Sequence, residues 1–391
     1  MKVFDVAIIG GGVIGSSIAF ELAAEKLSVV LLDREQPGRG ASWAAAGMLS
    51  AAPDSSEALP LVPLAKESLQ LYPKFVAAIH EASGLHTHFA SEGALQVFPG
   101  DQGETERDKV VAELRGLGIA IESVSLETAR STENAIGPAA GAAAWLPQEA
   151  TVDPRLLMDA ILAALRRRDV EIRSGCKVTS LLRHGSRCTG LIAGAEEIVA
   201  KVIVVAAGCH SSTLAGENSI ENDWLSRCVP THPVRGQMLA LHSPELNLRR
   251  VLRSERGYLV PRLAGRIVAG STLENVGFDK RVTAGGMRKI LDAAIELAPD
   301  LANAEIVETW AGLRPATPDN LPILGPTDVE GLFIATGHYR NGILLAPVTA
   351  KLARNWILNN TVAPTAEIFS PLRFAELRVQ TNASKRTAAN S

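Results

Sequence analysis

Apolar positions follow two rhythms along this chain. Val3 to Ile9 is a near-continuous apolar run, Val29-Val30-Leu31-Leu32 is another, and Ser16 to Lys26 between them has helical spacing. A strand, a helix and a second strand are predicted there, both strands buried. Leu59 to Ala82 is again helical in period, and Gly84 to Phe98 reads as strands around a Ser91-Glu92-Gly93 turn. Residues 101–131 are charged and helix-prone, a solvated face, and Ala142 to Leu146 predicts a short strand. Asp153-Pro154 offers an N-cap followed by proline at the first helical position, opening a helix to about Arg168. Val170–Arg173 and Lys177–Leu182 predict strands, and a buried strand from Lys201 runs into Gly208. Pro230 to His242 and Gly257 to Gly270 read as strands, and Gly285 to Leu297 as a helix. Trp310 to Gly325, rich in proline and glycine, reads as a loop. Leu332 to Ala335 is a strand entering Thr336 to Gly342, and a helix follows to about Leu358.

The first of these units carries chemistry. Its turn is Gly10-Gly11-Gly12-Val13-Ile14-Gly15, a G-x-G-x-x-G between strand and helix, and Asp33 ends the second strand eighteen positions after Gly15. Gly10 permits the tight turn, Gly12 lets a pyrophosphate approach the backbone, and Gly15 lets helix and strand pack closely. The helix N-terminus offers N–H groups and a favourable dipole to phosphates. Asp33 would accept a hydrogen bond from a ribose 2′-OH. The alternative is an ordinary buried strand–helix–strand unit with a tight turn.

Composition narrows the classes. At 391 residues two domains are expected, and the net charge of −3 leaves no electrostatic footprint for nucleic acid. No apolar run approaches the ~20 residues needed to span a bilayer, and Asp5, Glu21 and the glycines argue against a signal peptide, so a cytoplasmic location is the expectation. Cys176, Cys188, Cys209 and Cys228 have no metal-binding spacing and read as reduced thiols. His86 and His88 could share a strand face, but no carboxylate or thiolate accompanies them and no metal is expected.

Glycine junctions at Gly10–Gly15, Gly208 and Gly337–Gly342 are spread over the whole chain, so the nucleotide domain must be assembled from separate segments. Two further segments, Ser42-Trp43-Ala44-Ala45-Ala46-Gly47-Met48 and Trp310-Ala311-Gly312-Leu313-Arg314-Pro315-Ala316-Thr317-Pro318-Asp319, resemble the D-amino acid oxidase superfamily of flavoenzymes. Gly337 to Pro347 (GHYRNGILLAP) and Gly257-Tyr258-Leu259-Val260-Pro261-Arg262 strengthen the match, which is nearest to the glycine oxidases of thiamine synthesis.

The resemblance implies FAD, bound without a covalent link, since no cysteine occurs in Gly312-Leu313-Arg314 where covalent relatives carry one. Val13 and Ile14 would lie under the pyrophosphate, with Asp33 and the backbone of Arg34 at the adenosine ribose. Ala41 and Ser42 resemble the pyrophosphate loop, and Ala46, Gly47 and Met48 the loop against the flavin ring. Val178 matches the backbone contact to adenine, and Gly208 joins the cofactor contacts. His338, Tyr339, Arg340, Asn341, Gly342, Ile343 and Leu344 would wrap the pyrimidine end of the flavin. Arg314 resembles the arginine that grips the substrate carboxylate, with Tyr258 as its hydroxyl partner and Arg340 as a further candidate. From the residues alone, Arg314 reads equally well as a surface-loop arginine in a structural ion pair, and Arg340 as a brace for its own loop. Two departures from the family pattern, Arg256 and Leu273, fall where it places a histidine and a methionine near the substrate.

The fold implied is α/β: a discontinuous Rossmann-like FAD-binding domain (1–84, 150–224 and 305–365) and an α+β substrate domain (85–149 and 225–304) with a large mixed or antiparallel sheet. Residues 366–391 are expected to form a C-terminal tail with a disordered end. The activity implied is oxidative deamination of glycine and other small amino acids (sarcosine, D-amino acids). Hydride transfer to flavin N5 needs no side-chain acid or base, so no catalytic side chain is assigned. The products are an α-keto acid, ammonia and hydrogen peroxide, in the service of thiamine thiazole synthesis. Expected partners are the amino acid and dioxygen, with a homo-oligomer compatible. Two rivals are a dehydrogenase passing electrons to quinone and a non-catalytic flavin-binding interaction protein.

Overall fold

The structure, a computed structural model, describes residues 2–215, 225 and 228–374. Its strands in chain order are β1 (Val3–Ile9), β2 (Val29–Leu32), β3 (Met48–Leu49), β4 (Ala94–Pro99), β5 (Glu122–Val124), β6 (Ala140–Leu146), β7 (Ala150–Thr151), β8 (Glu171–Arg173) and β9 (Val178–His184). There follow β10 (Arg187–Ala193), β11 (Glu196–Val205), β12 (His232–His242), β13 (Val251–Arg253), β14 (Tyr258–Pro261), β15 (Arg266–Gly270), β16 (Glu305–Ala316), β17 (Ile323–Pro326) and β18 (Leu332–Thr336).

One eight-stranded sheet has the order β17-β18-β11-β1-β2-β8, with β9 and β10 continuing from β11 as an antiparallel arm. β1 is central and parallel to both β2 and β11. Its two faces explain why its sequence is apolar apart from Asp5: Val6 and Ile8 enter the core beneath the helices, while Phe4, Ala7 and Ile9 enter the core under the β9–β10 arm. The helix face is built by Val13–Ala24, Val62–Ser83, Pro154–Arg167 and Gly342–Asn359. As predicted, Asp153 caps the third, its carboxylate accepting from Arg155 N–H at 2.9 Å.

Helix Gly342–Asn359 contains Pro347, which cannot donate to the Ile343 carbonyl. Tyr72, fully buried, fills that vacancy: its hydroxyl donates to Ile343 O at 2.9 Å. Ser68 enters one residue on, donating to Leu344 O at 2.6 Å and accepting from Val348 N–H at 3.4 Å. The helix start is therefore clamped from helix Val62–Ser83.

The second eight-stranded sheet has the order β16-β12-β15-β14-β13-β4-β6-β5 and is antiparallel except for β13 against β4. This matches the expected large mixed sheet, but two readings need correction. Trp310 to Ala316 is not loop; it completes β16, which pairs with β12 from His242↔Glu305 to His232↔Ala316. Residues 305–316 thus belong to the second sheet, not to the first-domain segment 305–365. Pro315 is tolerated because β16 is an edge strand and its partner there is Pro233.

Between Gly84 and Phe98 only Ala94 onward is strand, preceded by a single bridge at Ala90. His88 has φ +48° and His86 stacks on His80 at 4.4 Å, so the two histidines do not form a ligand pair. Among the described residues no group of three metal-ligating side chains occurs, no helix is long and apolar enough to cross a membrane, and Cys176, Cys188 and Cys209 are free thiols. The expected tail begins with the short helix Pro364–Phe369, whose Phe369 is buried; the part from residue 375 lies outside the described residues, as do 216–224.

Candidate active site

Three glycines of the turn after β1 do different work. Gly10 has φ +105°, and a Cβ there would strike the Ala206 backbone. A Cβ on Gly15 would run into the Gly10 carbonyl. Gly12 is extended (φ −72°, ψ −179°), and a Cβ there would meet only Ser42 Oγ, at 3.2 Å. No protein packing demands a glycine at that position. The space in front of it is what a closely approaching ligand would need.

Around that space Val13 N–H donates to Ser42 Oγ at 2.9 Å. Asp33 accepts from Gly11 N–H and from Glu35 N–H, each at 2.8 Å, which holds its carboxylate at the turn. A cavity of about 470 Å³ opens here, lined by Gly10, Gly12, Val13, Ile14, Asp33, Arg34, Ala41, Ser42, Val178 and Gly208. Its wall continues through Ala46, Gly47, Met48, Tyr258, Arg314 and the run His338 to Ile343. Two expected contacts do not line it. Gly15 packs beneath the turn, and Leu344 is in the core, 2% exposed, with its carbonyl on Ser68.

The N-terminus of helix Gly342–Asn359 faces the cavity with no acidic residue in its first turn. His338, ahead of it, is buried against Thr349, its Nε2 lying 3.0 Å from Thr349 Oγ1. Burial pulls its pKa down to about 3, so it is neutral at physiological pH. The positive end of the helix dipole is therefore available to negative charge in the cavity. With the opening at Gly12 and the acidic residue at the end of β2, these residues fit an extended dinucleotide flavin.

At the other end the second sheet supplies the wall. Its register sets Trp310, Met238, Gly270, Tyr258, Arg253 and Gln96 side by side on one face across β16, β12, β15, β14, β13 and β4. Gly270 leaves the gap into which the Met238 sulfur and Tyr258 hydroxyl converge; that O–H donates to Met238 Sδ at 3.4 Å. A thioether is a weak acceptor, so the phenol is free to exchange it for a better one.

Four residues along β16 from Trp310, Arg314 shares the face of Trp310 and Gly312. Its guanidinium lies over Gly236, where any Cβ would collide with it. Nη1 donates to Thr272 O at 3.1 Å and Nη2 to Ser271 Oγ at 2.7 Å. Among the described residues no carboxylate lies within ion-pair reach, and desolvation pulls its pKa below the usual arginine range. Such a guanidinium can take a bidentate carboxylate without displacing a charged partner. Arg340 differs: it pairs with Asp54 at 3.2 Å, both partly exposed at the cavity wall.

Neither family departure reaches the cavity. Arg256 points outward to Glu296 on helix Ala284–Leu297, and Leu273 is 58% exposed. Beside Met48 of the expected flavin loop, the sheet contributes a second methionine to the wall, Met238. The sequence reading also missed Arg253, which lies beside Tyr258 in the sheet and is held by Glu149 at 2.8 and 3.0 Å and by Gln96 Oε1 at 3.2 Å. Glu149 also accepts from Ser50, just beyond Met48. Arg262 braces the expected flavin loop through the Ala46 carbonyl. Its place in the Gly257–Arg262 motif was the one signal that could have found it; Arg253 and Met238 lie outside every motif.

The sequence profile of a family described as FAD dependent oxidoreductase matches residues 5–356. A glycine oxidase of Geobacillus kaustophilus (strain HTA426) is 32% identical over 373 residues, covering 95% of this chain and 97% of the relative. The crystal structure of glycine oxidase from Geobacillus kaustophilus superposes with a TM-score of 0.87 at 31% identity, over 95% of this chain and 98% of that one. The bifunctional protein ThiO/ThiG of Trichormus variabilis (strain ATCC 29413 / PCC 7937) is 36% identical over 380 residues, which cover 95% of this chain and 55% of that protein. The chain thus spans about half the length of these bifunctional relatives.

Proposed function

The chain belongs to the family of FAD-dependent oxidoreductases, and we propose that within it this protein is an oxidase of glycine and other small primary or secondary amino acids, sarcosine and D-amino acids among them. The observation that carries this reading is Arg314, a desolvated guanidinium at the cavity wall whose donors, among the described residues, rest on a carbonyl and a hydroxyl. The fork takes the substrate carboxylate, and the Tyr258 O–H, released from Met238, donates to it as well. Holding the carboxylate at that end fixes the direction in which the Cα–H points, and positioning of this kind supplies much of the catalysis. FAD, held by the Gly10–Gly15 turn, Asp33 and the His338–Ile343 run, would supply a hydride acceptor that dioxygen regenerates with release of hydrogen peroxide; the imine would hydrolyse in water to the α-keto acid and ammonia, or the corresponding amine where the substrate is a secondary amine. No side-chain base is required, because the amine has only to be neutral. The likeness to glycine oxidases supports glycine as a substrate, and we extend the reading to a supply role in thiamine thiazole synthesis.

The test is a panel of glycine, sarcosine, D-alanine and D-proline with peroxide detection on the purified holoprotein, wild type against Arg314→Ala. Truncating one partner of a desolvated charge pair costs about 2–5 kcal/mol, so KM for glycine should rise at least tenfold. The fall in orientation should lower kcat too. Arg314→Lys should recover only part of the loss. Unchanged KM and kcat in Arg314→Ala would place the carboxylate grip elsewhere, with Arg340 the next candidate.

A further inference from the structure

A second guanidinium lies close behind Arg314 and has the opposite surroundings. Val234 faces Arg314 across the β12–β16 ladder, so the next residue, Arg235, points to the other face of the sheet. Arg235 is 4% exposed and pairs with two carboxylates, Glu274 at 2.5 Å and Asp279 at 3.1 Å. Glu274 is fully engaged: Gln237 Nε2 donates to it at 2.7 Å and the Thr272 hydroxyl at 2.5 Å. Thr272 Oγ1 in turn accepts from Gln237 N–H at 2.9 Å, so that hydroxyl is used in both directions and its rotamer is fixed. Gln237 is held from the other side by Thr283, whose N–H donates to Gln237 Oε1 at 2.7 Å. The backbones of Arg235 and Glu274 also exchange both hydrogen bonds.

This network ends on the two atoms that orient Arg314. The Thr272 carbonyl and the Ser271 hydroxyl are its acceptors, and both sit on the segment that Glu274 and Gln237 pin. We propose that Glu274, acting through Thr272, is a positioning residue for Arg314. It fixes the platform that aims the guanidinium into the cavity, while Arg235 keeps both local carboxylates on the far face of the sheet. Arg314 therefore stays without a carboxylate partner among the described residues, ready for that of the substrate. The inference rests on Arg314 being the carboxylate grip and adds how the grip is set.

The experiment compares holoprotein variants by KM and kcat for glycine and by the Kd of acetate, a non-reacting carboxylate, read from the flavin absorbance. Thr272→Val keeps the shape and the carbonyl but removes the hydroxyl used by Glu274 and Gln237. Both KM and acetate Kd should rise about tenfold, the equivalent of one charge-assisted hydrogen bond, with the larger part of the change in KM. Thr272→Ser should restore both. Glu274→Gln, which keeps an acceptor but loses the charge, should raise both by a smaller factor and serves if Thr272→Val does not fold. Wild-type KM and acetate Kd in these variants, alongside loss of acetate binding in Arg314→Ala, would overturn the positioning role and leave the grip standing. Undiminished acetate binding in Arg314→Ala would overturn the grip itself, and this inference with it.

Discussion

Gly12→Ala and Gly15→Ala change two glycines of one motif in the same way, and the structure separates their consequences. Gly12 has φ −72°, which alanine adopts without strain, and the added Cβ would lie 3.2 Å from Ser42 Oγ, a contact relieved by a shift of a few tenths of an ångström. Reduced freedom of the unfolded chain returns about 0.4–1 kcal/mol. The apoprotein should therefore melt within about 2–4 °C of wild type. FAD should suffer much more, because the methyl occupies the space through which the pyrophosphate reaches the backbone. Losing one charge-assisted N–H bond costs about 1.5–3 kcal/mol, so Kd for FAD should rise roughly 10- to 100-fold. In Gly15→Ala the methyl meets the Gly10 carbonyl, which belongs to the turn and cannot swing aside. Overpacking of that kind costs about 1–3 kcal/mol or more, and the apoprotein itself should lose stability. Thermal melts of both apoproteins and FAD titrations followed by tryptophan fluorescence give all four values. A Gly12→Ala protein that binds FAD like wild type, or that melts as low as Gly15→Ala, would refute the division of roles.

Three other outcomes are expected. Asp33→Ala removes the acceptor for the Gly11 and Glu35 N–H groups as well as the proposed ribose partner, so FAD affinity should fall about tenfold or more; kcat at saturating FAD should stay at the wild-type value. Tyr72→Phe leaves the Ile343 carbonyl without a donor under Pro347, a loss of about 1–3 kcal/mol in urea unfolding of the apoprotein. His338, depressed from 6.5 to about 3 by burial, binds its proton more readily unfolded than folded. Its contribution is complete above about pH 6.5 and drains away as pH falls toward 3; His338→Gln, able to keep a bond to Thr349, should flatten that part of a stability–pH curve.

Local chemistry made much of this protein legible. A parallel strand buried on both faces has to be largely apolar, as β1 (Asp5 aside) and β2 are, and the turn between strand and helix needs glycine where φ is positive or backbones touch. The helix opened by Asp153-Pro154 is equally local. From such signals alone come the first unit, the discontinuity of its domain and Asp33 at the end of β2. The resemblance carried by longer motifs added Arg314, Tyr258 and the His338 run, which do converge on one cavity. β16 was hidden because Gly312 and Pro315 oppose strand formation locally. Pairing with Gly236 and Pro233 at an edge of the sheet overrides that preference. Arg256 and Leu273 misled because position in a motif does not fix where a side chain points. What no reading of the chain could supply is the company each charge keeps. Arg235 and Arg314, both on neighbouring strands, look alike in sequence. One acquires two carboxylates and the other, among the described residues, none, because the segment from Ser271 to Asp279 folds its acidic side chains to a single face of the sheet, and electrostatic partnership is settled by through-space distance.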